Sequence, residues 1–398
     1  MTLTLDMIQS MALAVVILLC GQAIRKRISF LERFCIPAPV IGGILFALFT
    51  LGMKQAGILE FQFDTTLQKV FMTAFFTTVG FTASFKLLKR GGKQVAVFLL
   101  LAVTLVCMQN VIGVVFAKIF GINPLIGLST GSVPMTGGHG TSGAYAPVFE
   151  NAGASGASAV AMASATFGLI AGSLIGGPLG KKLIDKHNLL EQHEDAELIS
   201  ELQDDSEDVG LVSSSRFLMA TCQIIVAMGL GTIISAILTK TGMTFPAYIG
   251  AMFAAAIIRN ISDMSNSFKV NSLEIDVIGE TSLSIFLAMA LMSLKLWQLA
   301  ELAGPMLVML VGQMLLMAMF AYYVTFNVMG RDYEAAVMAC GHCGFGMGAT
   351  PNAMANMSAL TQKYKVAPAA FFILPLVGSL FIDFFNAAII TGFMNFFG

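Results

Sequence analysis

One sequence plan runs twice along this chain, at a uniform offset of 209 residues. Pro37-Ala38 returns as Pro246-Ala247, Lys86-Leu87 as Lys295-Leu296 and Gly121 as Gly330. Gly137 falls on Gly346, Thr141 on Thr350 and Ala144 on Ala353. An apolar chain built twice, with its densest glycine clusters at equivalent places, carries the pattern of a secondary transporter.

Composition narrows the solvent. At 57% hydrophobic and 11% charged residues over 398 positions, the chain is too apolar for a soluble domain. Uncharged stretches cover 7–24, 34–53, 70–85, 94–117, 119–149 and 151–180. They resume at 217–239, 241–258, 281–294, 302–330, 335–362 and 366–382. A helix needs about 20 residues to span the hydrocarbon core, so most of these suffice, while 70–85 and 281–294 borrow flanking residues. Asp6 precedes the first stretch, which lacks a basic leader and a small-residue cleavage site, so it reads as a spanning helix and not a removed signal.

A net charge of −1 gives no reason to expect nucleic acid as a partner. Cys340 and Cys343 form C-x-x-C inside an apolar, glycine-rich run, with no second pair to complete a zinc site, so they read as small packing residues. The chain also lacks H-E-x-x-H, G-x-S-x-G and a paired-aspartate constellation, which argues against an intramembrane enzyme.

Basic residues set the expected orientation. With the N-terminus outside, and five spans plus one entering-and-returning segment per half, the clusters Arg25, Lys26, Arg27 and Arg33, then Lys86, Lys89, Arg90 and Lys93, lie inside. So do Lys181, Lys182, Lys186, Arg216, Arg259, Lys269, Arg331, Lys363 and Lys365, which makes 17 of the 22 basic residues cytoplasmic. Only Lys54, Lys69, Lys118, Lys240 and Lys295 fall outside. The halves 1–185 and 211–398 then have opposite orientation, an inverted-topology repeat of an all-α polytopic protein. Between them, 186–210 is acidic from Glu191 to Asp208 and reads as a solvated cytoplasmic linker.

The stretch 119–149 holds no charge across 31 residues, too many for one span and too few for two. Pro124, Pro134 and Pro147 punctuate it, and Gly127, Gly131, Gly137, Gly138, Gly140 and Gly143 crowd its middle. Proline breaks a helix and glycine permits positive φ, so a re-entrant hairpin is expected at about 122–150, with its tip at Thr136–Thr141. Its counterpart is 335–362, with a tip from Gly341 to Pro351. Close helix packing explains Gly127 and Gly131, but not G-G-H-G or G-F-G-M-G. Irregular backbone at membrane depth must be buried in protein or line a cavity, so the two tips are expected to meet where substrate binds.

The ends of broken helices offer free N–H groups to carboxylates and carbonyls to Na⁺. Ser132, Thr136, Gly137, Gly138, Gly140 and Thr141 of the first hairpin are candidate substrate contacts. Gly346, Gly348, Thr350 and Asn352 of the second join them. Asp383 is the only charge from Val366 to the end of the chain, with Asn386 on the same helical face. A carboxylate at a helix centre costs about 2.5–3.5 kcal/mol, so Asp383 is expected to face a cavity or a cation. The candidate sodium set is Asp383, Asn386, Gly344 and Asn356. Gln109-Asn110 either lines the cavity or bonds a neighbouring helix, and Arg259 either snorkels or balances an anion. His139 and His342 lie in the tips without obeying the repeat offset.

These motifs resemble the bacterial sodium/glutamate symporters. Ser132 followed by Gly137-Gly138-His139-Gly140-Thr141, and Gly341-His342-Cys343-Gly344-Phe345-Gly346 running to Thr350-Pro351, carry the resemblance. Pro37-Ala38-Pro39 before Gly42-Gly43, Phe286 to Met292, and Asp383 with Asn386 extend it over nearly the whole chain except the acidic linker. The resemblance implies Na⁺-dependent uptake of L-glutamate across the bacterial inner membrane, and the distribution of basic residues puts both termini on its periplasmic side. The resemblance also implies a homodimer, a hairpin-bearing domain that moves against a dimer scaffold, and no cofactor beyond Na⁺ as coupling ion. Competing expectations are a carrier of a hydroxy- or dicarboxylate such as citrate or malate, and, more remotely, an ion channel.

Overall fold

The computed structural model of the chain describes residues 2–34, 36–86, 92–192, 213–240, 246–265, 268–299 and 302–397. Most of the acidic linker, 193–210, lies outside the described residues. The first half forms α1 (Met7–Arg25), α2 (Ala38–Gln55), α3 (Thr66–Thr82), α4 (Gly92–Ile119), α5 (Pro124–Leu128), α6 (Gly138–Asn151) and α7 (Ala157–His187). The second half follows the same order: α8 (Ser214–Thr239), α9 (Ala247–Ser265), α10 (Ser272–Met292), α11 (Ala303–Val328), α12 (Tyr333–Gly346) and α13 (Thr350–Thr361). It closes with α14 (Pro368–Leu376), a π-helical turn at Val377–Phe381 and α15 (Ile382–Phe397).

Seven of these helices, α1, α2, α4, α7, α8, α10 and α11, are long and apolar enough to cross a bilayer. The protein is therefore a mostly helical, multi-pass membrane protein. The other expected spans are shorter, more polar or interrupted: α3 has 17 residues, α9 carries Arg259 and Asp263, and α14 and α15 are separated by the π turn.

Local chemistry fixes many helix starts. Asp6 accepts from Ile8 N (2.9 Å) and Gln9 N (2.8 Å), and Gln9 Oε1 accepts from Asp6 N (3.1 Å), which closes a capping box on α1. Asn123 caps α5 by accepting from Leu125 N at 2.9 Å, and at the equivalent place Asp332 caps α12 by accepting from Ala335 N at 2.7 Å. A departure from the all-helical expectation is a parallel ribbon of β1 (Thr2–Leu5) and β2 (Glu60–Phe63). Both strands alternate apolar and polar residues, and Phe61 and Phe63 meet Phe46 edge to face.

The helices pack as two bundles that cut across the sequence halves. The first contains α1, α2, α3, α8, α9 and α10; the second contains α4 to α7 and α11 to α15. They meet chiefly where α10 faces α6 and where α3 faces the π turn and α15. Between helices in lipid there is little hydrophobic drive, so close backbone approach matters. In the first bundle Gly21 sits on Ala38 O, Gly80 on Met252 O and Gly250 on Gly231 O. In the second, Gly168, Gly172, Gly176 and Gly180 form a stripe on α7 against Met347 O, Cys343 O and Cys340.

A Cβ at Gly172 would lie 2.7 Å from Cys343 O, whereas nothing lies within 4 Å of one at Gly177. Gly172→Leu is expected to lower stability by about 1–3 kcal/mol, and Gly177→Leu to change it by about 0.5 kcal/mol or less. Thermal unfolding of the detergent-solubilised protein measures both, and equal effects would contradict the stripe.

Candidate functional site

Each half contains one helix pair interrupted by irregular backbone. In the first, α5 ends at Leu128 and turns run through 129–137 before α6 begins at Gly138, whose φ of +60° suits glycine. The irregular segment thus begins earlier than the expected tip, and Gly140 and Thr141 are already helical. In the second pair the interruption is shorter, Met347–Ala349. Gly341 and Gly344 stay helical because their missing side chains let α12 lie against its neighbours. A Cβ at Gly344 would meet Ala353 N at 2.7 Å, and one at Gly341 would meet Leu374 and Met357.

The two interruptions touch. A Cβ on Gly138 would sit 3.1 Å from Gly348 O, so no larger residue fits there without movement. Both border one cavity of about 1130 Å³. Thr136, Gly137, Gly138, His139 and Gly140 line it from the first break, and Gly348, Ala349, Thr350 and Pro351 from the second. Asp383 lines it from the first turn of α15, partly buried and without a hydrogen bond or ion pair among the described residues. Gly378 in the π turn lines the cavity beside Thr350: a Cβ there would be 3.0 Å from Thr350 Oγ1. π turns leave backbone groups out of the ordinary ladder and recur at functional sites.

The facing wall comes from the first bundle, with Thr78 and Thr82 of α3, Arg259 of α9, and Asp276 and Glu280 of α10. Arg259 is held by Asp263 (3.2 Å) and donates to Ser272 Oγ (3.2 Å), while Asp263 also accepts from Ser84 at the end of α3. Arg25 and Lys26 line the same cavity, so positive charge does stand in its wall.

Other candidates stand behind the cavity wall. Ser132 Oγ donates to Asn386 Oδ1 (2.7 Å), Asn386 Nδ2 donates to Ser132 O (3.3 Å), and Ser132 N donates to Asn110 Oδ1 (3.0 Å). Thr141 packs over Gly137. Asn352 Nδ2 donates to Leu169 O (2.9 Å) and Asn356 Nδ2 to Gly172 O (3.0 Å), so both tie α13 to α7. Gly346 O accepts from Gln109 Nε2 at 2.7 Å.

Gln109 emerges as the bridge between the breaks. Thr136 Oγ1 donates to its Oε1 at 2.8 Å while its Nε2 serves Gly346 O, and Gln313 Nε2 donates to the Gln109 carbonyl at 2.8 Å. All three side chains are buried. The polar pair Gln109-Asn110 in the middle of an apolar run signalled this role; Gln313 gave no comparable signal. His139 Nε2 lies 3.0 Å from Thr166 Oγ1, and His342 Nδ1 lies 2.9 Å from Thr325 Oγ1 among Phe98, Phe320 and Phe345. Cys340 and Cys343 are buried free thiols.

A second cavity, of about 820 Å³, opens at the opposite ends of α3 and α10. It reaches Ser142 and Gly143 of α6 and carries Lys54, Lys69 and Lys295. Lys54 pairs with Glu60 (2.6 Å) and lies 4.0 Å from the ring of Trp297. Between the cavities, Gly140 and Gly143 press on Phe75 and Phe286, with would-be Cβ distances of 3.2 and 2.9 Å. The seam that divides the two openings is thus glycine against aromatic ring.

Comparison with known proteins identifies the family. The family model described as sodium/glutamate symporter matches residues 3–366. The chain is 42% identical over 390 residues to a sodium/glutamate symporter of Escherichia coli (strain K12), which covers 97% of this chain and 96% of the relative. A sodium/glutamate symporter of Shigella flexneri matches equally well. One from Haemophilus influenzae is 40% identical over 394 residues, covering 98% of this chain and 97% of the relative. The chain, a membrane transporter and not an enzyme, belongs to the sodium/glutamate symporter family.

Proposed function

We propose that the protein couples the inward flow of Na⁺ to uptake of L-glutamate across a bacterial inner membrane by alternating access. The observation that carries this reading is the meeting of two helix interruptions, one from each half, at Gly138 and Gly348 in the wall of one cavity. Family membership supplies the cargo: the matching relatives are sodium/glutamate symporters over almost their whole length.

The halves form an inverted-topology repeat, and α5–α6 and α12–α13 are re-entrant hairpins. Support comes from the recurring helix order, the equivalent caps Asn123 and Asp332, and the shared positive φ of Gly121 and Gly330. With the termini periplasmic, the larger cavity, walled by Arg25, Lys26 and Arg259, opens to the cytoplasm, so this conformation is inward-facing. The second bundle then moves against the first, which forms the scaffold of a homodimer. The seam of Gly140 and Gly143 on Phe75 and Phe286 is the surface that shifts. Glycine leaves that seam smooth, which lowers the barrier to sliding.

Within the site, Thr136, Gly137, Gly138 and Gly140, with Gly348 and Thr350, receive the substrate. Its carboxylates face free N–H groups at the starts of α6 and α13. Ser132, Thr141, Gly346 and Asn386 hold these turns from behind, and Gly344 and Asn356 fix α13 against α12 and α7. Asp383 is the cavity-facing carboxylate for Na⁺. Arg259 of the scaffold balances the anionic cargo in the vestibule, where it is already shared between Asp263 and Ser272.

Uptake of radiolabelled L-glutamate into proteoliposomes tests the reading. Saturable accumulation is expected with an inward Na⁺ gradient and not with choline; competition by citrate or malate but not glutamate would sink the cargo assignment. Asp383→Asn is expected to raise the Na⁺ concentration for half-maximal uptake by about tenfold or more, an effect of roughly 1.4 kcal/mol. Gln109→Leu, which removes the bridge to both breaks, is expected to cut uptake about 10- to 100-fold in correctly folded protein. Thr136→Val, which breaks one arm, should cost less than Gln109→Leu.

A further inference from the structure

We infer an enclosed sodium position at the junction of α7, α12 and α13, separate from the cavity-facing Asp383, with Asn352 Oδ1 as its side-chain ligand. The inference rests on the symport reading above and adds to it a place for the ion.

Asn352 is fully buried and does not line either cavity. Its Nδ2 donates to Leu169 O at 2.9 Å, and because a carbonyl only accepts, the orientation of the amide is fixed. Oδ1 is the atom left over, and it has no hydrogen-bond partner. A buried carboxamide oxygen without a partner costs about 1–3 kcal/mol, a penalty that a bound cation removes. On α7, Ser164 Oγ is also fully buried without a hydrogen-bond partner. Ser164 lies one turn from Gly168 on the same face of α7, and Gly168 abuts Met347 O.

The backbone supplies the rest of the coordination chemistry. Cys343 O and Met347 O face α7 at its glycine stripe, where the absence of side chains lets these carbonyls approach the α7 backbone. They belong to the C-terminal end of α12, which carries the negative end of the helix dipole. Hard oxygen donors at a helix C-terminus suit a small alkali cation. The position is closed to the cavity, so a free ion fits it better than the ammonium of a substrate held at the tips. The second break thus has two faces, with the α13 N-terminus offered to the anionic cargo and the α12 C-terminus to its coupling ion.

The test uses the full-length protein with Na⁺, or choline at equal ionic strength, and no glutamate. Wild-type protein in detergent is expected to gain thermal stability with Na⁺, since an ion that binds only the folded state stabilises it. Asn352→Ala is expected to lose that gain and to raise the Na⁺ concentration for half-maximal uptake about tenfold or more, with KM for glutamate at saturating Na⁺ changed less than about threefold. Asn352→Asp keeps an oxygen at the site but loses the bond to Leu169 O, so it is expected to retain the Na⁺ response. If Ala and Asp lose it equally, or if Ala raises the glutamate KM and leaves the Na⁺ dependence intact, the site is wrong. Wild-type uptake without Na⁺ would instead overturn the symport reading itself.

Discussion

Lipid offers no hydrogen bonds, so each interruption of a helix in the membrane has to be answered by the protein's own polar groups. The second bundle is organised around that constraint. Gln109 spans from Thr136 to Gly346, Asn110 receives Ser132 N, Asn386 returns a bond to Ser132 O, and Asn352 and Asn356 reach backbone carbonyls of α7. These are neutral amides and hydroxyls in the middle of apolar helices. Neutral groups satisfy backbone at far lower desolvation cost than charges would. The single charge among them, Asp383, stands at the edge of the cavity.

The same network explains why the site belongs to one body. Both breaks, their bridging glutamine and the π turn beside Asp383 all sit in the second bundle, while the first contributes the opposite wall. This polar unit faces a wall of threonines, aromatics and charged groups that include Arg25, Arg259 and Glu280. Within each bundle glycine-to-carbonyl contacts lock the helices together, and between bundles glycine meets ring edges. Backbone packing thus dominates inside each bundle and side-chain packing between them.

Much of this was legible in the residues. Uncharged runs such as 94–117 locate α4 to within a few positions, and Gly137-Gly138 marks the start of α6. Paired prolines and glycines at the 209-residue offset place the second break near Thr350. What failed to show was which job a glycine performs. Gly341 and Gly344 look like helix breakers, yet they remain helical because α13 presses on their bare face. The stripe from Gly168 to Gly180 hides in an apolar run that already reads as a span. Ser132, Asn352 and Asn356 are chemically plausible ligands, but their distance from the cavity is set by contacts hundreds of residues apart. No local pattern encodes that depth.

The bundles' indifference to the sequence halves bears on how the chain is made. Ribosomes release α1 to α7 first, yet α3 needs Met252 and Ala255 beneath Gly80, and Gln109 needs Gly346. Until the second half is inserted, the first has an open polar break and a bare glycine face with nothing on it. Assembly of either bundle thus waits for the last third of translation, and the early helices must be sheltered by lipid or insertase in the interim. An architecture that interleaves its halves gives up independent folding of each half, and in return neither half persists as a working unit without the other.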